Sequence, residues 1–175
     1  MTDYWGPKLW YILHTISYNY SDTPSISEIK YTYLFFYSIV NIIPCSICKN
    51  FYIKFLSVYP LSKYVKQKKL LIDWVLLLHN AVNKKLNKRI YNLDEVNLIY
   101  LHKSIDNTII LEFIEHIIKI NEFSNNIFIR NFLLYLSLFY PDKNKKFNIV
   151  KNNNYLHQFH IRKWFAKVKI IIKKN

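Results

Sequence analysis

Apolar residues recur at helical spacing along most of the chain. After Pro7, Leu9, Leu13 and Ile16 are three or four positions apart, and this pattern predicts a first helix over about residues 7–20. Ser25 with Glu28 three residues later fits a capping box, which predicts a second helix that ends before Pro44. Helix-start residues and apolar spacing predict further helices in the segments that follow.

Three more helix starts can be identified before residue 105. Pro44 suits a first helical position and predicts a third helix, and the apolar segment from Leu70 predicts a fourth. Asn92 with Glu95 forms a second capping-box pattern and predicts a fifth. Residues 1–105 are therefore expected to form an all-α domain, a compact bundle of four to five helices.

Residues 106–175 are predicted to form a helical C-terminal extension of unknown role. Apolar periodicity predicts helices around residues 109–118, 128–140 and 156–172. The last 25 residues contain seven Lys or Arg and no acid, interleaved with Trp164 and Phe165. A packed amphipathic helix with a solvated basic face is the favoured interpretation, and binding to nucleic acid or to an anionic membrane is the alternative.

Composition agrees with a helical, globular chain. Hydrophobic residues make up 51% of the sequence and glycine occurs once, which leaves little turn chemistry for a many-stranded fold. The net charge of +14 has two explanations, an anionic partner or A/T-rich coding. The N-terminus lacks the pattern of a secretion signal, and every apolar run is shorter than the ~20 residues of a membrane span. A soluble, cytoplasmic protein is expected.

The two cysteines of the chain, Cys45 and Cys48, lie three positions apart at the predicted start of the third helix. Such a pair shares one helix face, is close enough to form a disulfide, and lies where the helix dipole favours a thiolate. This arrangement suits disulfide exchange, although the strand–helix–strand context of thioredoxin-like proteins is missing. A zinc site that adds His14 and His79 is an alternative, but its spacings differ from those of ordinary zinc modules.

Three sequence blocks, read together, resemble one family. They are "WGPKLWYILHT" from Trp5, "PCSIC" from Pro44, and "HNAVNKKLNK" from His79. Their order and spacing resemble the Erv/ALR family of FAD-linked sulfhydryl oxidases over about the first 103 residues. The compact form is most similar to family members from large cytoplasmic DNA viruses.

The resemblance implies a catalytic pair, Cys45 and Cys48, and a helical bundle that cradles FAD. Cys48 is then the sulfur beside the isoalloxazine ring and also a cofactor contact. The implied cofactor-binding residues are Gly6, Pro7, Lys8, Trp10, His14, Cys48, Tyr52, His79, Asn80, Val82, Asn83, Lys85, Leu86, Lys88, Tyr91 and Tyr100. No metal is implied. Without the three blocks in order, Trp10, Tyr100 and His14 would be interpreted as ordinary core residues.

The sequence also departs from the family pattern. Asn87 occupies the position where cellular members usually have glycine, so the same turn would require a positive φ, which Asn tolerates best among other residues. Ile99 stands where cellular members often have arginine, which removes one predicted phosphate or ribose contact that Lys103 would have to replace. A distal shuttle cysteine pair is also missing from the sequence.

The resemblance implies that a dithiol substrate protein, such as a thioredoxin-like carrier, reduces the Cys45–Cys48 disulfide. Electrons then pass to FAD and to O2, which gives H2O2. Family members commonly dimerise through their first helices, so a homodimer is expected. The competing hypothesis is a redox-inactive interaction module that binds nucleic acid or a membrane through its basic C-terminal region.

Overall fold

The computed structural model describes residues 2–101, 105–120, 127–140, 142–158 and 160–173, and the regular structure in these ranges is entirely helical. The all-α prediction is thus confirmed. The helices are α1 (Thr2–Tyr18), α2 (Ile26–Ser38), α3 (Ser46–Val58), α4 (Lys68–Lys85), α5 (Leu93–Tyr100), α6 (Asn107–Ile120), α7 (Ile127–Leu138), α8 (Lys143–Lys151), α9 (Asn154–His157) and α10 (Ile161–Lys173). Short 3₁₀ turns at Ile39–Asn41 and Leu61–Lys63 flank α3.

Both predicted capping boxes are present. The Ser25 hydroxyl accepts the Glu28 amide at 3.2 Å, and the Glu28 carboxylate accepts the Ser25 amide at 2.8 Å. Asn92 and Glu95 repeat this reciprocal arrangement at the start of α5, at 2.9 and 2.8 Å. These starts were predictable because the residues that determine them are only three positions apart.

Other helix limits differ from prediction. Helix α1 begins at Thr2, so Pro7 lies inside it. Pro7 is the sixth residue of α1, so the helix lacks the one backbone hydrogen bond that an N–H at this position would donate to the Asp3 carbonyl. Helix α8 was not predicted because it is mostly polar, and Asp142 caps it by accepting the Lys145 amide at 2.9 Å. The single helix predicted over residues 156–172 is instead divided into α9 and α10.

One continuous apolar core includes side chains from both halves of the chain. At its centre the fully buried Trp74 indole meets the Phe36 and Phe55 rings at steep angles and donates its N–H to the Tyr59 carbonyl at 3.0 Å. On the other side of α2, Phe35 packs against Phe132 of α7, with ring centroids 5.5 Å apart. The core therefore continues across residue 105, and the domain boundary there stays a prediction.

Helix α6 packs against one side of α1, and helix α7 packs against one side of α2. The Asp106 amide donates to the Tyr11 hydroxyl at 2.6 Å, and Lys8 forms an ion pair with Glu112 at 3.4 Å. These contacts join α1 to the start and the middle of the C-terminal half. They leave the opposite side of α1 facing α4 and α5.

The C-terminal half also contains a buried polar chain. The Trp164 indole N–H donates to the Asn153 side-chain oxygen at 3.0 Å, and the Asn153 amide donates to the Ser137 hydroxyl at 2.9 Å. With Phe165 and Val168 also buried, α10 is the packed amphipathic helix that the sequence favoured. Among the described residues, no helix combines the length and apolarity needed to cross a membrane.

Candidate active site

The cysteine pair lies at the N-terminus of α3. Cys45 is the N-cap residue in an extended conformation, and its Sγ accepts the Cys48 amide at 3.2 Å. A disulfide joins the two residues, whose Cα atoms are 5.2 Å apart. Helix α3 therefore begins at Ser46, two residues after the predicted Pro44, because the sulfur of Cys45 takes the capping role.

A cavity of about 450 Å³ opens beside this disulfide, between α1, α3, α4 and α5. Cys48 contributes to the cavity wall, and both cysteines are half-buried. Predicted cofactor contacts that line the cavity are Gly6, Pro7, Trp10, His14, Cys48, Tyr52, His79, Val82, Asn83, Leu86, Lys88, Tyr91 and Tyr100. The three sequence blocks thus converge on one space.

Aromatic rings form much of the cavity wall. The His79 imidazole lies nearly parallel to the Trp10 indole, with centroids 4.1 Å apart and planes 9° apart. His14 stacks on Tyr100 at 4.8 Å, and Tyr52 donates its hydroxyl to the Phe36 carbonyl at 2.8 Å. The faces of such rings that border the cavity can pack against a large π system.

Two histidines form a hydrogen-bonded pair in this wall. His14 Nε2 and His79 Nδ1 are 3.0 Å apart, while His14 Nδ1 is buried with no hydrogen-bond partner. Burial, reinforced by the His79 charge, lowers the pKa of His14 to about 3. Burial, reinforced by Lys88, lowers the pKa of His79 to about 4. Both imidazoles are therefore neutral at neutral pH, and one donates to the other.

The asparagines of the "HNAVN" segment hold the loop that follows α4. The Asn80 amide donates to the Tyr91 carbonyl at 2.7 Å, and its oxygen accepts the Tyr91 amide at 3.0 Å. Asn83 is buried and donates to the Arg89 carbonyl at 2.9 Å. These polar groups fix the loop against the helix, so that residues 86–91 close one side of the cavity.

Asn87 turns the chain at the end of α4. Its φ of 53° is the positive angle that the resemblance implied for this turn. The Lys88 amide donates to the Asn83 carbonyl at 2.8 Å and the Asn87 amide to the Lys84 carbonyl at 3.3 Å, which together form a Schellman motif. The turn directs Lys88 to the cavity wall.

Cations are found at one part of the cavity. Lys88 and Arg89 both line it, and Arg89 lies over the Tyr91 ring at 5.1 Å while forming an ion pair with Glu95. Two positive side chains beside stacked rings suit a ligand that combines a planar π system with phosphates. The disulfide in the same wall adds a redox partner for such a ligand.

Three predicted cofactor contacts do not line the cavity. Lys8 contacts Tyr4 and Glu112, Asn80 is used by the Tyr91 backbone, and the Lys85 ammonium lies over the Phe51 ring at 5.0 Å. Lys103 lies outside the described residues. These three side chains contact the helices and the loop around the site, and their role as cofactor contacts stays a prediction.

The cavity also includes residues that the sequence reasoning did not select. They are Trp5, Leu9, Leu13, Ile39, Ile43, Phe51, Leu78, Arg89, Val96 and Ile99. Leu9 and Leu13 repeat at helical spacing with Trp5 and were identifiable from that pattern, and Arg89 from its place beside Lys88. Ile39 and Ile43 come from the turn before the cysteines and have no polar signal in the sequence.

The zinc alternative depends on free thiolates. Cys45 and Cys48 are joined to each other, whereas His14 and His79 bond to one another. Within the described ranges, no group of three or more His, Cys, Asp or Glu side chains comes close enough to hold a metal ion. The four candidate ligands are therefore used in two separate pairs.

Comparison with known proteins gives consistent matches. The model of the Erv1 / Alr family matches residues 7–101. An FAD-linked sulfhydryl oxidase from a tick isolate of African swine fever virus is 34% identical over 106 residues, which cover 61% of this chain and 87% of the relative. The same enzyme from a pig isolate of that virus is 32% identical over 97 residues, 55% of this chain and 80% of the relative.

A more distant relative comes from another virus. The putative FAD-linked sulfhydryl oxidase 096R of Invertebrate iridescent virus 3 is 30% identical over 84 residues, 48% of this chain and 57% of that protein. No solved structure matches the chain significantly. Because the family model spans more than half of the chain, and covers the second and third sequence blocks and the first from Pro7 onward, this protein belongs to the Erv1/Alr family.

Proposed function

We propose that this chain is an FAD-dependent sulfhydryl oxidase that introduces disulfides into partner proteins and transfers their electrons to dioxygen. The thiol oxidase class and the FAD cofactor follow from family membership and from the viral relatives. The observation that carries the finer proposal is the position of Cys48, which is disulfide-bonded to Cys45 and lies in the wall of the aromatic cavity.

The cavity residues fit FAD by their chemistry. Trp10, His79 and Tyr100 offer flat surfaces, while the unpaired Nδ1 of His14 leaves one buried polar atom unsatisfied by the protein. Lys88 and Arg89 supply positive charge for the pyrophosphate. When bound, FAD accepts the electron pair of the reduced cysteines and delivers it to dioxygen, which becomes hydrogen peroxide.

Thiol–disulfide exchange is the part of the reaction that the chain's own residues perform. A substrate thiolate attacks Cys45 Sγ, forms a mixed disulfide, and displaces Cys48 as a thiolate. The second substrate thiolate then attacks the substrate sulfur and displaces Cys45. The substrate leaves as a disulfide after losing two protons and two electrons, and Cys45 and Cys48 remain reduced.

Helix α3 favours the departure of Cys48. Cys48 is the third residue of α3, so its sulfur lies near unpaired backbone N–H groups and the positive end of the helix dipole. A thiolate is stabilised there, and a leaving group with a lower pKa departs faster. The attack on Cys45 therefore produces the Cys48 thiolate, which lies beside the cavity.

The substrate is a protein dithiol, and a thioredoxin-like carrier fits this role. Because Cys45 and Cys48 are the chain's two cysteines, no second pair relays electrons to them. The expected homodimer would need a surface other than the sides of α1 and α2 that α6 and α7 cover.

Purification of the full chain gives the first test. We expect a yellow protein with flavin absorbance that oxidises dithiothreitol, consumes one O2 per disulfide formed and releases one H2O2. The Cys45→Ser/Cys48→Ser double variant is the control and should stay yellow but inactive. A colourless protein that takes up no added FAD, consumes no thiol and binds DNA with a steep salt dependence would instead favour the interaction module.

A further inference from the structure

Helix α3 continues from the disulfide as a stripe made of Ile47, Phe51, Lys54 and Val58, in which Phe51 is half-buried and lines the cavity and the other three side chains are exposed. Their spacing of four, three and four positions places them along one helix face. Ile47 lies between the two cysteines in sequence and is 69% exposed, and Val58 is 59% exposed. An apolar side chain this exposed, next to a reactive disulfide, is available to a docking partner.

Two lysines lie on or beside this α3 stripe. Lys54 belongs to it, and Lys85 places its ammonium 5.0 Å from the centre of the Phe51 ring. Lys49 follows Cys48 directly and points to another side of the same helix. Helix α3 contains no acidic residue. Among the residues that the structure describes, neither Lys49 nor Lys54 has a carboxylate within ion-pair distance.

The charge bias extends to the elements on both sides of the site. Asp73 is the single acid between Glu28 and Asp94, and the same stretch contains eleven Lys or Arg. Among the described residues, the acids that pair with cations lie on α5 and α6. Beside the disulfide, α3 thus combines lysine side chains and the exposed Ile47 with no acid.

We propose that the α3 stripe docks the substrate protein through an acidic segment that flanks the substrate's dithiol. The proposal rests on the proposed oxidase function and names the class of its substrate. Complementary charge would steer the acidic segment to α3 and raise the association rate, and contact with Ile47 would exclude water where the thiols meet Cys45. Transfer of the two electrons then follows the exchange already described.

Three synthetic dithiol peptides test this preference on the full-length flavoprotein. They share one Cys-x-x-Cys core, flanked by Glu, by Gln or by Lys residues, and oxygen consumption gives kcat/KM for each. At low ionic strength we expect the acidic peptide to exceed the basic one by about tenfold or more, because steering of this kind changes association rates by 10-fold to 1000-fold. The difference should collapse at high salt.

Charge reversal locates the docking surface. Lys54→Glu should lower the ratio between the acidic and basic peptides several-fold. The matched control is Lys30→Glu, which changes an exposed lysine on α2 by the same charge and should keep the wild-type ratio. If the ratio of kcat/KM between the acidic and basic peptides is the same in Lys54→Glu and Lys30→Glu, the substrate does not dock on α3.

Dithiothreitol separates the two possible failures. If the wild-type protein does not oxidise dithiothreitol, the oxidase function itself is wrong. If dithiothreitol is oxidised but the acidic, neutral and basic peptides react equally, the docking proposal is overturned. A concentration-dependent dimer that Ile47→Asp abolishes would assign the stripe to a second copy of the chain, which also overturns it.

Discussion

The imidazole of His79 is held from two sides, by the Trp10 indole against its face and by the His14 ring nitrogen at its edge, 3.0 Å from Nδ1. The stacking fixes the plane of the ring, and the hydrogen bond fixes its rotation within that plane. A ring restrained in both ways is preorganised for a flat ligand, because it loses little further freedom on binding.

His79→Ala should therefore weaken flavin retention and also destabilise the apoprotein. The variant removes the surface stacked on Trp10 and leaves both nitrogens of the buried His14 unpaired, at a cost of about 1–3 kcal/mol. The flavin-to-protein absorbance ratio and denaturant unfolding of the apoprotein measure the two effects. His157→Ala, at an exposed histidine of α9, is the matched control. Full flavin occupancy in His79→Ala would show that His79 does not contribute to flavin binding.

Lys88→Ala should reduce affinity for FAD but not for riboflavin, which lacks phosphate. Because Lys88 is exposed to solvent, the loss should be modest, about fivefold or about 1 kcal/mol, and should shrink with added salt. Titration of the apoprotein with each flavin gives the comparison. Lys84→Ala, on the same helix end but outside the cavity lining, serves as control. Equal losses for FAD and riboflavin would place Lys88 away from the pyrophosphate.

The Cys45→Ser and Cys48→Ser variants should both be inactive, but they should differ in their visible spectra and in the mixed disulfides that they form. In Cys45→Ser, the unpaired Cys48 lies in the cavity wall near the start of α3, where its thiolate is favoured. A long-wavelength charge-transfer band with bound flavin is expected. Visible spectra of both purified variants measure it, and a band found only in Cys48→Ser would reverse the roles of the pair.

Cys48→Ser should accumulate mixed disulfides with substrate proteins through Cys45. With Cys48 absent, the enzyme has no neighbouring thiol to displace a bound substrate. Non-reducing gels of cells expressing the variant should show adducts that disappear on reduction. The Cys45→Ser/Cys48→Ser double variant is the control and should form none.

Stability should decrease in acid because of the histidine pair. The folded-state pKa values of His14 and His79, about 3 and about 4, are below the 6.5 of the unfolded chain. Between about pH 6.5 and pH 4 the unfolded state therefore binds more protons, so the free energy of unfolding falls as pH decreases. Each histidine contributes a slope of at most about 1.4 kcal/mol per pH unit.

His14→Phe isolates one of these contributions. Denaturant unfolding between pH 4 and pH 8 should give a shallower acid slope than in the wild type, while the two slopes agree above pH 7. Identical slopes over the whole range would mean that His14 titrates normally in the folded protein.

A chain ended at residue 105 should still bind flavin, because the cavity lining that the structure describes lies between Trp5 and Tyr100. The shortened chain loses α7, which covers Phe35, and should self-associate through the exposed face. Absorbance and light scattering measure both properties, with the full chain as control. An insoluble or colourless product would make α6 and α7 part of the oxidase domain.

Local patterns in the sequence predicted much of the first half of the fold. The capping boxes at Ser25 and Asn92 act within three residues, so their helix starts could be predicted. The start of α1 was wrong because Pro7 was interpreted as a first helical position. The buried contact of Asn153 with Trp164 joins residues 11 positions apart through tertiary packing, and no local signal in the sequence indicates it.

In the candidate site, too, some residues have a signal in the sequence and others are identified only by the folded structure. Motif residues such as Cys48 and His79 could be selected from the sequence, and they do line one cavity. The contact of Asn80 with the cofactor stays a prediction, while its two hydrogen bonds to the Tyr91 backbone had no signal in the sequence because only the folded loop creates them. Ile39 and Ile43 were missed because an apolar wall residue has the same sequence pattern as any core residue.

The order of these elements along the chain has a consequence for synthesis. The described cavity lining ends at Tyr100, so it is translated before α6 and α7. Because N-terminal segments fold first during synthesis, the cofactor can be captured by a nascent chain before α6 and α7 exist. The aromatic face of α2 around Phe35 then stays uncovered until α7 leaves the ribosome. That face of α2 is therefore an apolar surface that stays open to solvent after the cavity lining has been made.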